Sequence, residues 1–109
     1  NGWNKNELYG YFHYANSQGV YNSHGDVTNI NNTSVTYHVY SMEWTKDKIR
    51  ILVDNKEFVS LNNTADVPFD NPHYLLLNIA IGGNLGGDID PNFSQDRMEV
   101  DYVRVFQKE

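Results

Sequence analysis

Tyr37-His38-Val39-Tyr40-Ser41-Met42-Glu43-Trp44-Thr45-Lys46-Asp47-Lys48-Ile49-Arg50-Ile51-Leu52-Val53-Asp54-Asn55-Lys56-Glu57-Phe58-Val59-Ser60-Leu61 decides the fold of this chain. Aromatic and β-branched residues alternate with polar ones, and no apolar set recurs at the three-and-four spacing of a helix face. Polar turns at Thr45-Lys46-Asp47-Lys48 and Asp54-Asn55-Lys56 break the stretch into runs at 37–44, 49–53 and 57–61. Short turns between alternating runs predict a three-stranded antiparallel meander.

Working outward, residues 7–15 read as a further strand, and 16–35, dense in Asn, Ser, Gly and Thr, as a long irregular connection with a short strand near 27–30. Pro68 and Pro72 bracket a rigid extended link. Residues 73–81 then form a nearly continuous apolar strand, buried on both faces or facing a cleft. Gly82-Gly83-Asn84-Leu85-Gly86-Gly87 predicts a tight loop, and 97–107 a last strand. The expected fold is all-β, with about six strands. That number makes one sheet and part of another, so residues 1–109 read as part of one larger sandwich domain.

The composition excludes several function classes. With 109 residues there is room for one domain, and 8 basic against 14 acidic side chains give a net charge of −6. A nucleic-acid or anionic-membrane binder needs a basic face instead. The absence of Cys removes disulfides, thiolate nucleophiles and Cys-ligated zinc. The longest apolar run, Tyr74-Leu75-Leu76-Leu77, is too short to span a bilayer. His13, His24, His38 and His73 show no metal-ligand spacing, and the glycine-rich segment lacks the Lys-Ser/Thr of a phosphate loop. Asp88-Ile89-Asp90-Pro91-Asn92 with Glu99 mimics a calcium-loop register, but Phe93 stands where such a loop needs Gly. Glu99-Val100-Asp101 puts two carboxylates on one face of a strand, which reads more simply as a surface or metal-tying pair than as a catalytic one.

The strand at 7–15 is more informative. Tyr9, Tyr11 and His13 alternate with Leu8, Gly10, Phe12 and Tyr14, so one face carries two phenols and an imidazole in a row. Such amphipathic rings suit sugars, whose C–H groups stack on ring faces while hydroxyls meet the polar tips. The alternative is an aromatic ladder that only packs a sheet.

Three motifs carry a resemblance. Residues 37–45 with 48–56, residues 68–84 ending in Asn78-Ile79-Ala80-Ile81-Gly82-Gly83-Asn84, and Val100-Asp101-Tyr102-Val103-Arg104-Val105-Phe106-Gln107 are similar, in that order, to segments of glycoside hydrolase family 16, especially its laminarinase-like members. Gly10-Tyr11-Phe12-His13 resembles the strand that follows that family's catalytic motif. The resemblance implies a concanavalin-like β-jelly roll whose concave face binds an extended polysaccharide. It implies retaining hydrolysis by a Glu-x-Asp-x-(x)-Glu strand. No such motif occurs in these residues, so the chain is expected to be the carboxyl-terminal portion of the domain and inactive alone. Its expected partners are an amino-terminal complement of the same domain and a β-glucan, with β-1,3-glucan (laminarin) favoured and galactan as an alternative. By position, the resemblance places Tyr9, Tyr11, His13, Asn78 and Asn84 against substrate, and Asp101 as one ligand of a structural Ca²⁺. It also implies an extracellular, periplasmic or cell-surface location. A non-catalytic, lectin-like glycan-binding sandwich is the competing expectation.

Overall fold

The structure is a computed structural model that describes residues 2, 4–67 and 69–108; the expectation for Pro68 lies outside them. Two antiparallel sheets form. β1 (Glu7–Ala15) pairs with β2 (Tyr21–Asn29), from Glu7 opposite Asn29 to Ala15 opposite Tyr21. β3 (Tyr40–Trp44), β4 (Lys48–Val53) and β5 (Lys56–Asn62) form the meander, in the order β3-β4-β5.

β2 corrects the expectation of a long irregular connection holding one short strand at 27–30. Its residues have low strand propensity, but the turn before them is well specified. Asn16 Oδ1 accepts from the backbone N–H groups of Gln18 (3.0 Å) and Val20 (2.9 Å), and Gly19 takes φ 77°. That turn hands the chain back along β1, whose backbone groups then satisfy those of β2.

β3 starts at Tyr40 rather than at 37. The Val39 N–H donates to Asp54 Oδ1 (2.9 Å) and the Val39 carbonyl accepts from the Asp54 N–H (2.9 Å), so this residue caps the next turn instead of extending the strand. Asp54 (φ 48°) and Asn55 (φ 64°) are the two left-handed residues of that hairpin loop, which Asp and Asn tolerate better than other side chains. Asp54 Oδ2 also meets His38 Nδ1 at 2.7 Å, while His38 Nε2 lies 3.1 Å from the Asn31 carbonyl. His38 thereby ties the 30–37 connection to the β4–β5 turn.

The His38 and Val39 hydrogen bonds hold the Asp54 carboxyl below the usual carboxylate range. A depressed carboxylate stabilises the fold above its unfolded-state pKa and loses that contribution as pH falls through its folded one. On acidification below about pH 4, the wild-type protein should therefore lose stability more steeply than Asp54→Asn. Urea midpoints at a series of pH values check this, and parallel profiles for the two proteins would refute it. Glu57, lowered by Ser60, Arg50 and Lys48, contributes in the same direction in both proteins.

The two sheets face one another across Phe12, Ile49 and Val59, with Tyr14, Ile51, Phe58, Leu61 and Phe69 around them. A bulge widens this contact. Ile51 pairs with Val59 but Leu52 with Glu57, so Phe58 is the extra residue and joins Val59 against the core. Gly10 permits the close approach: a Cβ there would sit 2.7 Å from the Phe58 ring. The outer face of the meander carries Arg50 between Glu43 and Glu57, with Lys48 also on Glu57 at 3.6 Å.

Residues 73–81 and 97–107 form no strand, against expectation, and Leu75 (64% exposed), Leu77 (58%) and Val105 (81%) lie open to solvent. Apolar content alone does not make a strand, which needs a neighbour to pair its N–H and C=O groups. The glycine-rich segment contains α1 (Gly83–Gly86), a single helical turn where a plain tight loop was expected. The cost is visible in the surface. The accessible area is 9197 Å², against roughly 6,200 Å² for a compact protein of this mass. The radius of gyration is 16.0 Å, against about 13 Å for a compact chain of this length.

Candidate functional site

The alternation of β1 decides what each of its faces does. Gly10 and Phe12 are buried against the meander, and Tyr11 and His13 are exposed on the opposite face. Tyr9, Tyr11 and His13 do form a row, with ring centroids 6.3 Å apart for the first pair and 6.0 Å for the second. A fourth ring continues it from the neighbouring strand: Tyr21 lies 6.0 Å from His13 at an interplanar angle of 15°.

These rings are nearly parallel, and 6 Å is too short for rings lying edge to edge in one plane. Each therefore turns its face towards the next. This refines the sequence expectation. The row offers ring edges and polar tips to the solvent, with each ring facing the next at about 6 Å. It is a comb of hydrogen-bonding groups more than a stacking platform.

The polar tips are not equivalent. Tyr9 Oη donates to Glu7 Oε2 (2.9 Å), and Tyr21 Oη lies 2.7 Å from His13 Nδ1. The Tyr11 hydroxyl and His13 Nε2 make no hydrogen bond among the described residues. Tyr11 owes its position to Gly25, its partner across the β1–β2 ladder, because a Cβ at Gly25 would lie 2.5 Å from the Tyr11 ring. Tyr21 and Gly25 are not legible in the sequence as site residues because β2 carries no apolar alternation; the turn chemistry of Asn16 and Gly19 is the local signal that points to them.

Beside the row, a recess of about 220 Å³ is lined by Phe12, Met42, Trp44, Ile49, Phe69 and His73, and also touches Tyr11 and His13. Trp44 and His73 stand edge to face within it, 5.2 Å apart.

The other expected site residues lie elsewhere. Asn78 is on the exposed 73–81 segment and Asn84 on α1; neither lines the recess, and neither makes a hydrogen bond among the described residues. Asp101 is exposed, and its neighbour Glu99 is engaged by Arg97 (2.6 Å) and by the Tyr37 hydroxyl (3.1 Å). That hydrogen bond and the charge of Glu99 raise the Tyr37 pKa, so its phenol stays protonated. Among the described residues no three His, Asp or Glu side chains converge as a metal site. Calcium takes six to eight oxygens, more than the Asp101 carboxylate alone offers.

The family profile of the glycosyl hydrolases family 16 matches residues 2–104. The chain belongs to that family. It is 41% identical over 85 residues to glucan endo-1,3-beta-glucosidase A1 of Niallia circulans, an alignment covering 67% of this chain and 12% of that protein. It is 40% identical over 82 residues to a beta-glucanase of Rhodothermus marinus, covering 65% and 29%. Two crystal structures of LamA from Zobellia galactanivorans, one of them in complex with laminaritriose and laminaritetraose, superpose with a TM-score of 0.81 at 42% identity, covering 85% of this chain and 38% of theirs. The chain thus spans well under half the length of the relatives it matches. The two sheets are part of the family's all-β jelly-roll sandwich, and the resemblance read from the motifs is established.

Proposed function

We propose that these residues are the carboxyl-terminal portion of a single catalytic domain, a retaining, endo-acting β-glucan hydrolase that works on β-1,3-linked glucose polymers outside the cytoplasm. The row of Tyr9, Tyr11 and His13 supplies a wall of hydrogen-bonding groups along the glycan. The acid–base and nucleophilic carboxylates of the Glu-x-Asp-x-(x)-Glu strand come from residues beyond this sequence, and without them the chain does not catalyse. An amino-terminal complement of the same domain pairs with the open edge of β1 and covers the apolar 73–81 and 97–107 segments. Asn78 and Asn84 join the glycan wall once those segments are covered, and Asp101 contributes one ligand to a calcium ion whose remaining oxygens the complement supplies.

The observation that carries this reading is the ordered row of polar ring tips, with two groups left free, in a chain 42% identical to a structure described with laminaritriose bound. Tyr11→Phe in the complete protein removes one free hydroxyl and no internal hydrogen bond. We expect it to weaken laminaritriose binding about three- to tenfold, the worth of one hydrogen bond. Tyr9→Phe should weaken it less, because that hydroxyl is already given to Glu7. Isothermal titration of the two variants checks the order, and equal affinities for Tyr11→Phe and wild type would remove Tyr11 from the site.

The absence of the carboxylate motif from these residues keeps a second reading in play, a lectin-like sandwich that holds glycan without cleaving it. Laminarin binding by the complete protein with no release of reducing ends would decide for it.

A further inference from the structure

We propose that Tyr21 is a positioning residue for His13: its hydroxyl donates to His13 Nδ1, which fixes the ring and leaves Nε2–H as an outward hydrogen-bond donor beside the Tyr11 hydroxyl. This deepens, and rests on, the reading of the row as a glycan-binding wall.

The contact is a diagonal across the β1–β2 ladder. His13 stands opposite Ser23 and Ala15 opposite Tyr21, so His13 and Tyr21 share a face at a spacing that only long side chains bridge. They bridge it twice, through the 2.7 Å Oη–Nδ1 contact and through the stacked rings. With Tyr11 on its other side, the imidazole sits between two rings, each 6.0 Å away.

Two consequences follow from the chemistry of imidazole. Rotating the ring by half a turn would replace Nδ1 with a carbon opposite the phenol, so the hydrogen bond selects one ring orientation. A neutral imidazole also has one donor and one acceptor nitrogen, and the bond made by one nitrogen sets the role of the other. A phenol is the better donor of the pair and neutral imidazole nitrogen the better acceptor. Nδ1 therefore accepts, and the proton resides on Nε2. Since Nε2 has no partner among the described residues, it is free to donate to a ligand oxygen. Two adjacent rings with free polar groups suit neighbouring oxygens of a sugar chain better than an anion or an apolar ligand.

The test uses the complete protein at mildly alkaline pH. Imidazole ¹⁵N resonances report which nitrogen is protonated, and the His13 signals are assigned by their loss in His13→Gln. Wild type should show His13 as the Nε2–H tautomer. Tyr21→Phe, which keeps the ring stack and loses the hydroxyl, should turn His13 into a tautomer mixture while His24, His38 and His73 keep their shifts. Laminaritriose affinity should fall about two- to fivefold in Tyr21→Phe, because the Nε2–H donor is then present and correctly oriented for only a fraction of the molecules. His13→Gln, which removes the imidazole, should itself weaken binding, and adding Tyr21→Phe to it should change nothing further.

An unchanged His13 tautomer in Tyr21→Phe overturns the proposal. So does a binding loss of equal size in the His13→Gln background, which would mean that Tyr21 contacts the glycan itself. If the tautomer shifts as expected but wild type fails to bind laminaritriose, the glycan reading falls and the Tyr21–His13 pairing stands.

Discussion

Phe12→Ala should cost about 3–5 kcal/mol of folding stability, the range for removing a large aromatic ring from a core. Phe12 is 5% exposed and packs against Ile49 and Val59 of the opposite sheet. The Phe69 ring meets it edge-on at 6.0 Å, and the ring of His24, its cross-strand partner, stacks at 6.5 Å. It is the one buried side chain that the β1–β2 hairpin sends into the core among the described residues. Its loss therefore does more than leave a cavity, since the hairpin carrying the site is anchored largely through it. Domains of this kind are stable by only about 5–15 kcal/mol, so the variant should lie near the edge of folding. Urea unfolding of the complete protein measures the difference. Val20→Ala, at a side chain 55% exposed, is the control and should shift stability by less than about 0.5 kcal/mol. A Phe12→Ala loss as small as the control's would show that the two sheets are held together by something other than this contact.

The parts legible in the sequence are those whose signals are local. β1 begins and ends where its alternation does, and the meander follows from two turns whose residues state their own geometry, above all Asp54 and Asn55 in left-handed conformations. The outward row of Tyr9, Tyr11 and His13 follows from period-two alternation alone, and the three motifs led correctly to the family. What stayed hidden depends on a neighbour. β2 is Tyr21-Asn22-Ser23-His24-Gly25-Asp26-Val27-Thr28-Asn29, with no apolar alternation to announce it, and it is a strand because β1 lies beside it. Residues 73–81 are the converse case: they have the composition of a buried strand and, with nothing paired to them among the described residues, form none. The same dependence explains why Tyr21 escaped notice. Its meaning lies in a diagonal contact with His13, which exists only once the register of β1 and β2 is known.

Gly25→Ala is the change that should disturb fold and site together. The added Cβ would lie 2.4 Å from the Gly10 carbonyl oxygen and 2.5 Å from Cγ and Cδ1 of Tyr11. Neither obstacle is the mobile tip of a side chain. The first is the backbone of the paired strand and the second is the root of a ring wedged between Tyr9 and His13. To make room, the ladder must open at the Tyr11–Gly25 pair or the Tyr11 ring must leave the row, and overpacking of this kind costs about 1–3 kcal/mol. We expect a loss in that range together with a fall in laminaritriose affinity at least as large as that of Tyr11→Phe, because the whole ring moves and not only its hydroxyl. Gly19→Ala separates the two effects. Nothing lies within 4 Å of its added Cβ, but its φ of 77° is strained for Ala. It should lose about 1 kcal/mol through the turn while binding as wild type does. Should Gly25→Ala match Gly19→Ala in both stability and affinity, the Tyr11 ring does not depend on the bare backbone across from it, and the row is held by its neighbours alone.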